Sequence, residues 1–561
     1  MAFIKEYDYL DTEMQSIGKI SGAGIAGQGI NILDALLVYG FAYCPPSSTS
    51  FSISTITYAN PTATVTTSTN HGFVVGQYVW ISGVQTDLAY NGLFKVATQN
   101  GTTQFTFPVG VITGTYTAST GIVAAASVFN VSSLTVTANV ATVSTSVAHG
   151  FVSNQYVLIS GATNDVLLNG EFLVTVTSST QFTYPVTTTG TALSGTVFCK
   201  SNRKVCGTQP SPGLSCVPGT PGIVTLTTTS AHGFNVGEIV LVAGAADAVF
   251  NGEFVIVSIP SNTTLTYNVT TTALSSTTTS TLITVKNASL GWSKPFAGTN
   301  LAVYRSNDVT GTQLYLKVDD TVVNYMTVTM YESMSSISSG TGASTSVLWR
   351  KTDATITVIN SAVRPWYLVG NTKTFYFMID CYGVGTNYNN QPNPYMFGDF
   401  NSYKSGDVYN CSLVGYTAIP ASYPYTNNDF IFVKGAIGSY PSSRQIARAY
   451  HQLGSVITYF TSSSVPVSAI SMAYSTPTLF PNYADQSLHL FPIYIFENVS
   501  YYTLRGVLPG VYNPLENLSG IFQSRNPVTI SGKTYIAYTV SCGTSTTFVW
   551  GTMFIDITGP W

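Results

Sequence analysis

One pattern occurs three times between residues 52 and 286, with a period of roughly 80 residues. Each copy contains His-Gly-Phe, then an apolar strand ending in Gly, then Asn-Gly-x-Phe, then an aromatic closing strand. Self-similarity at a fixed period indicates a tandem array of small units. Because this period exceeds that of solenoid repeats, we expect each copy to form its own small barrel. The signature residues of the three copies are His71, Gly72, Phe73, Asn91 and Gly92; His149, Gly150, Phe151, Asn169 and Gly170; and His232, Gly233, Phe234, Asn251 and Gly252.

Local patterns within each copy predict β-strands. The first copy opens with Ala63-Thr64-Val65-Thr66-Thr67, and this alternation of β-branched residues indicates a strand with one buried face. The Asn-Gly dipeptides are typical of tight hairpins between two strands. Five or six such strands in each copy predict a small SH3-like barrel, and the Phe of His-Gly-Phe is expected to plug one end of it.

Three of the five histidines, His71, His149 and His232, lie in this pattern. A zinc site would need further His, Cys, Asp or Glu ligands, and no copy places a second His or Cys near the first. We therefore interpret each imidazole as a structural group that hydrogen-bonds the neighbouring turn and covers a barrel end. The sequence predicts no catalytic residue, no metal site and no cofactor.

The order His-Gly-Phe, Gly-ending strand, Asn-Gly-x-Phe and Phe-Thr-Tyr/Phe resembles a known β-barrel, the first catalytic-cysteine half-domain of ubiquitin-activating enzymes. Similar barrels occur in virion proteins of tailed bacteriophages, often in tandem. The resemblance covers residues 52–286. No adenylation motif accompanies it, so it implies a fold and not ubiquitin activation.

The composition is typical of a surface protein with few charges. Charged residues make up 8% of the chain and hydrophobic residues 45%, whereas about 25% of residues are charged in ordinary soluble proteins. Uncharged, Thr-rich β-structure of this kind is common in adhesins and in phage tail or capsid-surface proteins. The net charge of −3 gives no reason to expect a nucleic acid partner, which would require a basic face.

The N-terminal sequence predicts synthesis in the cytoplasm. It lacks the basic and then apolar order of a signal peptide, and no segment approaches the ~18 consecutive apolar residues of a membrane span. Assembly into a particle that is released by lysis would reconcile cytoplasmic synthesis with a surface-type composition. We therefore expect a virion protein, made in the host cytoplasm, without membrane insertion.

The chain is expected to be mostly β, with three tandem barrels inserted into a β-rich body that has few short helices. Ile30, Leu33, Leu37 and Val38 lie at helical spacing before Gly40 and predict one short amphipathic helix. This helix would pack on the C-terminal body or dock on a neighbouring subunit. The expected regions are an anchoring segment (1–51), the first barrel (52–127), the second barrel (128–200), a Cys-containing linker with the third barrel (201–286), and the C-terminal body (287–561).

Three segments of the C-terminal region resemble a second family. Gly-Trp-x-Lys-Pro-Phe-x-Gly-Thr-Asn-x-Ala-Val-Tyr (291–304), Arg-Pro-Trp (364–366) and Phe-Gly-Asp-Phe-x-Ser-Tyr (397–403) resemble a group of tailed-phage structural proteins. In that group the N-terminal helix runs almost directly into the Gly-Trp segment. The resemblance implies that the three barrels are an insertion and that residues 1–50 pack with residues 287–561.

Three of the seven cysteines, Cys199, Cys206 and Cys216, lie between the second and third barrels. A disulfide-stapled loop and reduced loop cysteines are both compatible with this spacing. A zinc site is less compatible, because a fourth ligand is missing. The remaining four are predicted to be mostly buried thiols: Cys44, Cys381, Cys411 and Cys542.

Acidic residues are the remaining candidates for chemistry. Asp319-Asp320 could bind calcium, but a paired Asp without further oxygen ligands is more often a turn. Asp399 and Asp407 could form the carboxylate pair of a glycan depolymerase, but the long β-helical repeats of such enzymes are not found. His451 and His489 have no nucleophile motif nearby. We therefore predict that the chain is not an enzyme.

A second helix is predicted over residues 442–454. Ser442 is a suitable N-cap and Gly454 a suitable end, with Ile446, Ala449, Tyr450 and Leu453 on one face. His451 would lie near its C-terminus, where a helix favours positive charge.

These patterns together predict a structural component of a tailed-phage virion that projects barrels from the particle. A tail or baseplate position is expected first, and capsid-surface decoration second. Its partners would be other virion proteins, in a symmetric homo-oligomer. The rival prediction is a host-binding adhesin, in which exposed Tyr and Trp side chains stack on surface glycans.

Overall fold

The computed structural model describes most of the chain, in segments. The described residues are 4–9, 14, 20, 24–39, 50–59, 62–82, 84, 90, 92–108, 122–125, 128–149, 151, 153, 155–160, 162, 168, 170–187, 198–201, 205–207, 214–217, 221–228, 232, 234, 236–245, 247–269, 284–287, 289–351, 364–380, 392–416, 442–448, 457–461, 490–497, 503–514, 525–544 and 547–561.

Two compact units divide the chain. The first, here called the body, comprises Met1–Asp11, Lys19–Asn31 and Leu290–Trp561. The second, the barrel unit, comprises Thr12–Gly18 and Ile32–Ser289. Antiparallel strands dominate both units, so the prediction of a mostly-β chain is confirmed. None of the described helices is long and apolar enough to cross a membrane.

An N-terminal strand and helix begin the chain. Strand β1 (Lys5–Asp8) lies antiparallel to a later strand of the body, with Tyr7 opposite Leu368. Helix α1 (Gln28–Leu33) continues as a π-helical segment (Asp34–Tyr39). A helix is therefore present where the apolar spacing predicts one, and its apolar face is buried.

Each repeat of the barrel unit contributes one antiparallel sheet. The first has β2 (Ser50–Ala59), β3 (Thr62–Thr67), β4 (Tyr78–Ser82), β5 (Gly92–Lys95), β6 (Thr98–Gln99), β7 (Gln104–Pro108) and β8 (Ile122–Ala125). The second has β9 (Val128–Thr137), β10 (Val140–Thr145), β11 (Gln155–Ser160), β12 (Gly170–Ser178), β13 (Gln181–Pro185) and β14 (Phe198–Ser201). The third has β15 (Val205–Gly207), β16 (Leu214–Val217), β17 (Gly222–Thr227), β18 (Ile239–Ala243), β19 (Gly252–Ser261), β20 (Thr264–Val269) and β21 (Thr284–Asn287), with a 3-10 turn at Ala248–Phe250.

The three repeats share one strand order. The second closes into a six-stranded barrel in the order β10-β13-β12-β11-β14-β9. The first repeat has the same order, but the strand that corresponds to β12 is split into β5 and β6. In the third repeat the strand that corresponds to β9 is split into β15 and β16. The sheet of the second repeat is therefore a closed barrel. The likeness of all three repeats to SH3 barrels stays a prediction.

Each repeat has a core of its own, built by the alternation visible in the sequence. Inward residues of β3, β10 and β17 are fully buried. Phe151 and Phe234 pack among them in the second and third repeats, and Phe73 meets Phe105 edge-on in the first. The intervening Thr and Ser residues face outward. The inward pairs are Ala63 and Val65, Ala141 and Val143, and Val224 and Leu226.

The body is a large antiparallel sheet with one additional hairpin. Its strands are β22 (Trp292–Gly298), β23 (Leu301–Ser306), β24 (Tyr315–Asp319), β25 (Tyr325–Tyr331), β26 (Ser333–Ser336), β27 (Ser339–Thr341), β28 (Val347–Arg350), β29 (Trp366–Gly370), β30 (Thr374–Asp380), β31 (Pro392–Asp399), β32 (Asn401–Ser402), β33 (Cys411–Tyr416), β34 (Ser442–Ile446), β35 (Ile457–Thr461), β36 (Leu490–Glu497), β37 (Thr503–Pro514), β38 (Pro527–Ile530), β39 (Lys533–Thr544) and β40 (Thr547–Asp556).

Neighbouring strands of the body pair mostly in chain order. The meander β22–β23–β24–β25 continues to β28, which meets β33. Strand β33 also pairs with β31 and β34, and the ladder runs on through β35, β36 and β37 to β40 and β39. Aromatic side chains fill the core between them, with Trp349 stacked on Tyr395 at 5.5 Å between ring centroids.

The helix predicted over residues 442–454 is wrong in its first part. Residues Ser442–Ile446 form β34, with Ile446 opposite Ser412 and Arg444 opposite Val414 of β33. Gln445 and Ile446 are buried. Pairing and burial beside β33 outweigh the weak local preference that an N-cap Ser and helical spacing provide. Residues 449–456, with His451, lie outside the described residues.

Candidate functional site

The His-Gly-Phe turn has the same geometry in all three repeats. The Nδ1 atoms of His71, His149 and His232 accept a hydrogen bond from the backbone N–H of the following Phe, at 2.9, 2.9 and 3.0 Å. Each imidazole also stacks on that Phe, with ring centroids 4.8, 4.7 and 5.5 Å apart. Gly72 has a φ of 67°, a conformation that favours glycine. The turn is therefore a packed structural unit.

This geometry assigns the protonation state of the rings. Because Nδ1 accepts a hydrogen bond, the neutral ring carries its proton on Nε2, and a second proton on Nδ1 would displace the backbone donor. Burial lowers the pKa of His71 and of His149, and backbone hydrogen bonds offset this in part. The Nδ1 lone pair is already in use, and the described part of the chain contains no cluster of three or more potential metal ligands.

We expect the first two barrels to lose stability as the pH falls below about 6.5. Unfolded histidines bind protons at their usual pKa, whereas the lowered pKa of His71 and His149 keeps the folded rings neutral to lower pH. The unfolded state therefore gains protons first, and each histidine contributes a slope of at most about 1.4 kcal/mol per pH unit. Urea unfolding between pH 8 and pH 5 measures the slope. A double variant with Gln at both positions should lose it, and an unchanged slope in that variant would contradict the assignment.

The Asn-Gly dipeptide of the third repeat does not form a tight hairpin, which corrects the prediction there. In the third repeat, β18 ends at Ala243 and β19 begins at Gly252, so Asn251 closes a loop over residues 244–251. The Asn251 side chain accepts from the Ala245 N–H and donates to the Ala245 carbonyl, both at 2.8 Å. An Asn amide can clamp a longer loop through such backbone bonds as readily as it forms a two-residue turn.

The equivalent loops have the same placement in the other repeats. Gly92 and Gly170 are the first residues of β5 and β12, while Asn91 and Asn169 lie outside the described residues, as do Gly150 and Gly233. The preceding strands β4 and β11 end at Ser82 and Ser160.

Cys216 is a free thiol in the core of the third repeat. It lies opposite Val224 on the inward face of β16, and the disulfide among the three cysteines stays a prediction. Burial raises its pKa, as expected for an unreactive thiol. The side chains of Cys199 and Cys206 lie outside the described residues. Cys411 is a buried free thiol of β33, as predicted.

Asp320 holds the N-terminal segment against the body. Its Oδ2 accepts hydrogen bonds from the backbone N–H groups of Gly29 at 2.8 Å and Ile30 at 3.2 Å. Its Oδ1 accepts from Lys351, whose Nζ also donates to the Ile25 carbonyl at 2.9 Å. Both charged side chains are fully buried. Burial raises the pKa of Asp320 and lowers the pKa of Lys351, so each charge depends on the other.

The Asp319-Asp320 pair lies at the end of β24, before the connection to β25, and Asp320 is not available for calcium. Asp319 Oδ1 accepts from the backbone N–H and the hydroxyl of Thr321, at 3.1 and 2.6 Å. The ammonium of Lys351 lies at the Asp320 carboxylate, where a cation would bind. The pair therefore lies at the end of a hairpin strand, and the structural interpretation of it is retained over a calcium site.

Asp399 and Asp407 take part in separate hydrogen-bond networks. Asp399 accepts from the backbone N–H of Thr312 at 3.0 Å and from its hydroxyl at 2.5 Å, and burial raises its pKa. Asp407 accepts from Ser402 Oγ at 2.7 Å and from Arg505 Nε at 2.9 Å. Each carboxylate is thus hydrogen-bonded to its own set of neighbouring residues. His489 lies outside the described residues.

The buried Arg505 is a feature that sequence reasoning missed. Its side chain is fully buried against Asp407, and its NH1 donates to the Arg448 carbonyl at 3.2 Å. Arg448 in turn forms a two-point pair with Glu332, at 2.6 and 2.5 Å. The signal was available, because a charge inside an apolar strand of a charge-poor chain requires a buried partner.

Comparisons with known proteins identify no family. No protein-family model matches the chain, and no curated protein matches it. Among solved structures, phage phi92 endosialidase aligns at 11% identity over 89% of this chain and 91% of its own length, with a TM-score of 0.15. A TM-score this low carries no argument about fold or function.

Proposed function

We propose that this chain is a structural component of a tailed-phage virion, located at the tail or baseplate, where it displays its barrel modules. Capsid-surface decoration is the second position. The protein would be made in the host cytoplasm, assemble as a homo-oligomer with other virion proteins, and leave the cell by lysis. It would require no cofactor.

One observation carries this proposal: the three repeats lie in the sequence between two parts of one body. Segments Met1–Asp11 and Lys19–Asn31 belong to the body together with Leu290–Trp561. The described polar groups that sequence analysis had singled out are bonded within the fold, which favours a structural role over chemistry. The insertion agrees with the arrangement that the tailed-phage resemblance implies.

Fractionation of particles from the source culture tests the proposal. Peptides of this chain should band with intact particles in a density gradient, at a fixed ratio to the major head protein. After heads and tails are separated, the tail fraction should contain them. Peptides in the head fraction would indicate capsid decoration, and their absence from all particles would refute the virion proposal.

The second candidate is a host-binding adhesin, and an exposed aromatic residue of the body favours it. Tyr403 is 59% exposed, and Leu504 is 41% exposed. Its backbone N–H donates to the Arg505 carbonyl at 2.9 Å, which places it beside Leu504. Such a ring can stack on a sugar. Selective retention of the protein on host polysaccharide would favour this candidate, and a stable oligomer without retention would favour the structural role.

We expect the purified protein to release no reducing ends from host polysaccharide. Glycoside hydrolysis requires two carboxylates that flank one bond, whereas Asp399 and Asp407 are bonded to Thr312 and to Ser402 and Arg505 respectively. A reducing-end assay measures this. Clear release that is lost in Asp399→Asn or Asp407→Asn would contradict the proposal that the chain is not an enzyme.

A further inference from the structure

Each repeat carries a row of four hydroxyl side chains, here called the hydroxyl ladder, in which Thr106 and Thr266 are buried and the other ten residues are at least partly exposed. The β-pairing places these residues directly opposite one another on four neighbouring strands, about 4.8 Å apart. All twelve positions are Thr or Ser. The ladders are Thr57–Thr64–Thr106–Thr98, Thr135–Thr142–Thr183–Thr175 and Ser215–Thr225–Thr266–Ser258.

Seven of these twelve hydroxyls have no bond within the protein. They are the hydroxyls at the first two positions of each ladder and that of Thr175, all of them in described residues and at least partly exposed. At the other end, Thr98 and Thr106 bond each other at 2.6 Å, as do Ser258 and Thr266 at 2.7 Å. Each ladder therefore has hydroxyl groups without a protein partner, here called open hydroxyls, at its first two positions.

The preference of Thr for strands does not account for the ladder, because Val and Ile suit an outward strand position as well. The adjacent row shows this. There the three repeats diverge, with Thr62 opposite Pro108, Val140 opposite Pro185 and Ile223 opposite Asn268. Val140 is 40% and Ile223 47% exposed. All three repeats have hydroxyl side chains throughout the ladder, whereas the residue types in this adjacent row differ from repeat to repeat.

The surroundings of the ladder define the chemistry of a partner. The row on its other side pairs Thr66 with Gln104, Ser144 with Gln181 and Thr227 with Thr264, so neither flanking row contains a charge. Such a surface offers hydroxyl donors and acceptors beside small apolar contacts, and it cannot repay the desolvation of a charged ligand. A sugar chain without charge presents the same combination of hydroxyl groups and C–H surface.

We propose that the hydroxyl ladders are binding surfaces for a neutral cell-surface polysaccharide. Each ladder alone would bind weakly, because hydrogen bonds exchanged with water contribute little net free energy. Three ladders on one chain, and more in an oligomer, would raise the apparent affinity through effective concentration. The inference rests on the proposed function in one respect: display on a virion would bring the ladders to a cell-surface glycan. Binding itself is tested with the isolated chain.

Affinity electrophoresis of the purified full-length protein tests the inference. Native gels would contain dextran or yeast mannan as neutral probes, or dextran sulfate as a charged probe. The test variant combines Thr64→Val, Thr142→Val and Thr225→Val, which remove one open hydroxyl from each ladder and keep the side-chain shape. The matched control combines Thr62→Val, Thr327→Val and Thr529→Val, which are outward Thr residues outside the ladders.

We expect at least one neutral probe to retard the wild-type protein and the control equally, and the ladder variant to bind at least tenfold more weakly. No retardation by either neutral probe, or equal retardation of both variants, would overturn the inference. Retardation by dextran sulfate alone would also overturn it. Sedimentation velocity adds a further check: dissociation of an oligomer in the ladder variant would assign the ladder to a contact between copies. A failure here leaves the particle-fractionation result unaffected.

Discussion

Replacing Lys351 with Ala is expected to lower the free energy of unfolding of the body by about 3–5 kcal/mol. The substitution leaves the Asp320 carboxylate fully buried without its counter-ion. It also removes the hydrogen bond that Lys351 Nζ donates to the Ile25 carbonyl. Because burial already raises the pKa of Asp320, the variant carboxyl, without its counter-ion, should bind a proton more readily than the wild-type one. Denaturant unfolding with and without the substitution measures the loss.

Lys533 offers a matched control for this prediction. It also pairs with a buried carboxylate, that of Asp556 at 2.7 Å, but its own side chain is 42% exposed. Exposed pairs contribute at most about 1 kcal/mol, so Lys533→Ala should cost far less than Lys351→Ala. Equal losses in the two variants would show that the Asp320–Lys351 pair does not hold the N-terminal segment.

Replacing Phe105 with Ala is expected to destabilise the first repeat by about 3–5 kcal/mol. Phe105 is fully buried, and its ring meets His71 and Phe73 edge-on, at 5.3 and 5.6 Å between centroids. The cavity would lie under the His-Gly-Phe turn. Because the second and third repeats have cores of their own, the loss should be confined to the first repeat. Hydrogen exchange followed by peptide analysis reads each repeat separately.

Thr62→Ala is the control, since Thr62 faces outward on the same sheet. It should change exchange rates little. Phe182→Ala should transfer the effect to the second repeat, where Phe182 meets His149 and Phe151 at 5.4 and 5.6 Å. Increased exchange in all three repeats after Phe105→Ala would contradict the assignment of independent cores.

The parts of the fold that the sequence predicts are those with strong local patterns. The alternation at Ala63 and Val65 places these residues in a core, and the spacing of Leu33 and Leu37 forms a helix. The position of each His-Gly-Phe turn identifies a structural imidazole, because no second ligand accompanies it. These features depend on residues close together in the chain.

The parts that the sequence did not predict depend on partners far away in the chain. Ser442–Ile446 is a strand because β33 lies beside it, and Asn251 closes a loop because Ala245 is within reach. Asp320 pairs with Lys351 and with the backbone of Gly29, which are far from it in the sequence and come together only in the folded body. The hydroxyl ladders appear only when the strand register is known.

Immunogold electron microscopy of particles from the source culture, with antibodies against the barrel unit, tests the central claim most directly. The proposed function predicts gold at the tail or its tip, on intact particles, because the barrels would be displayed there. Gold spread over the head would move the protein to the capsid surface. Particles without gold, with the protein found free or on cells, would contradict the claim that it is a virion component.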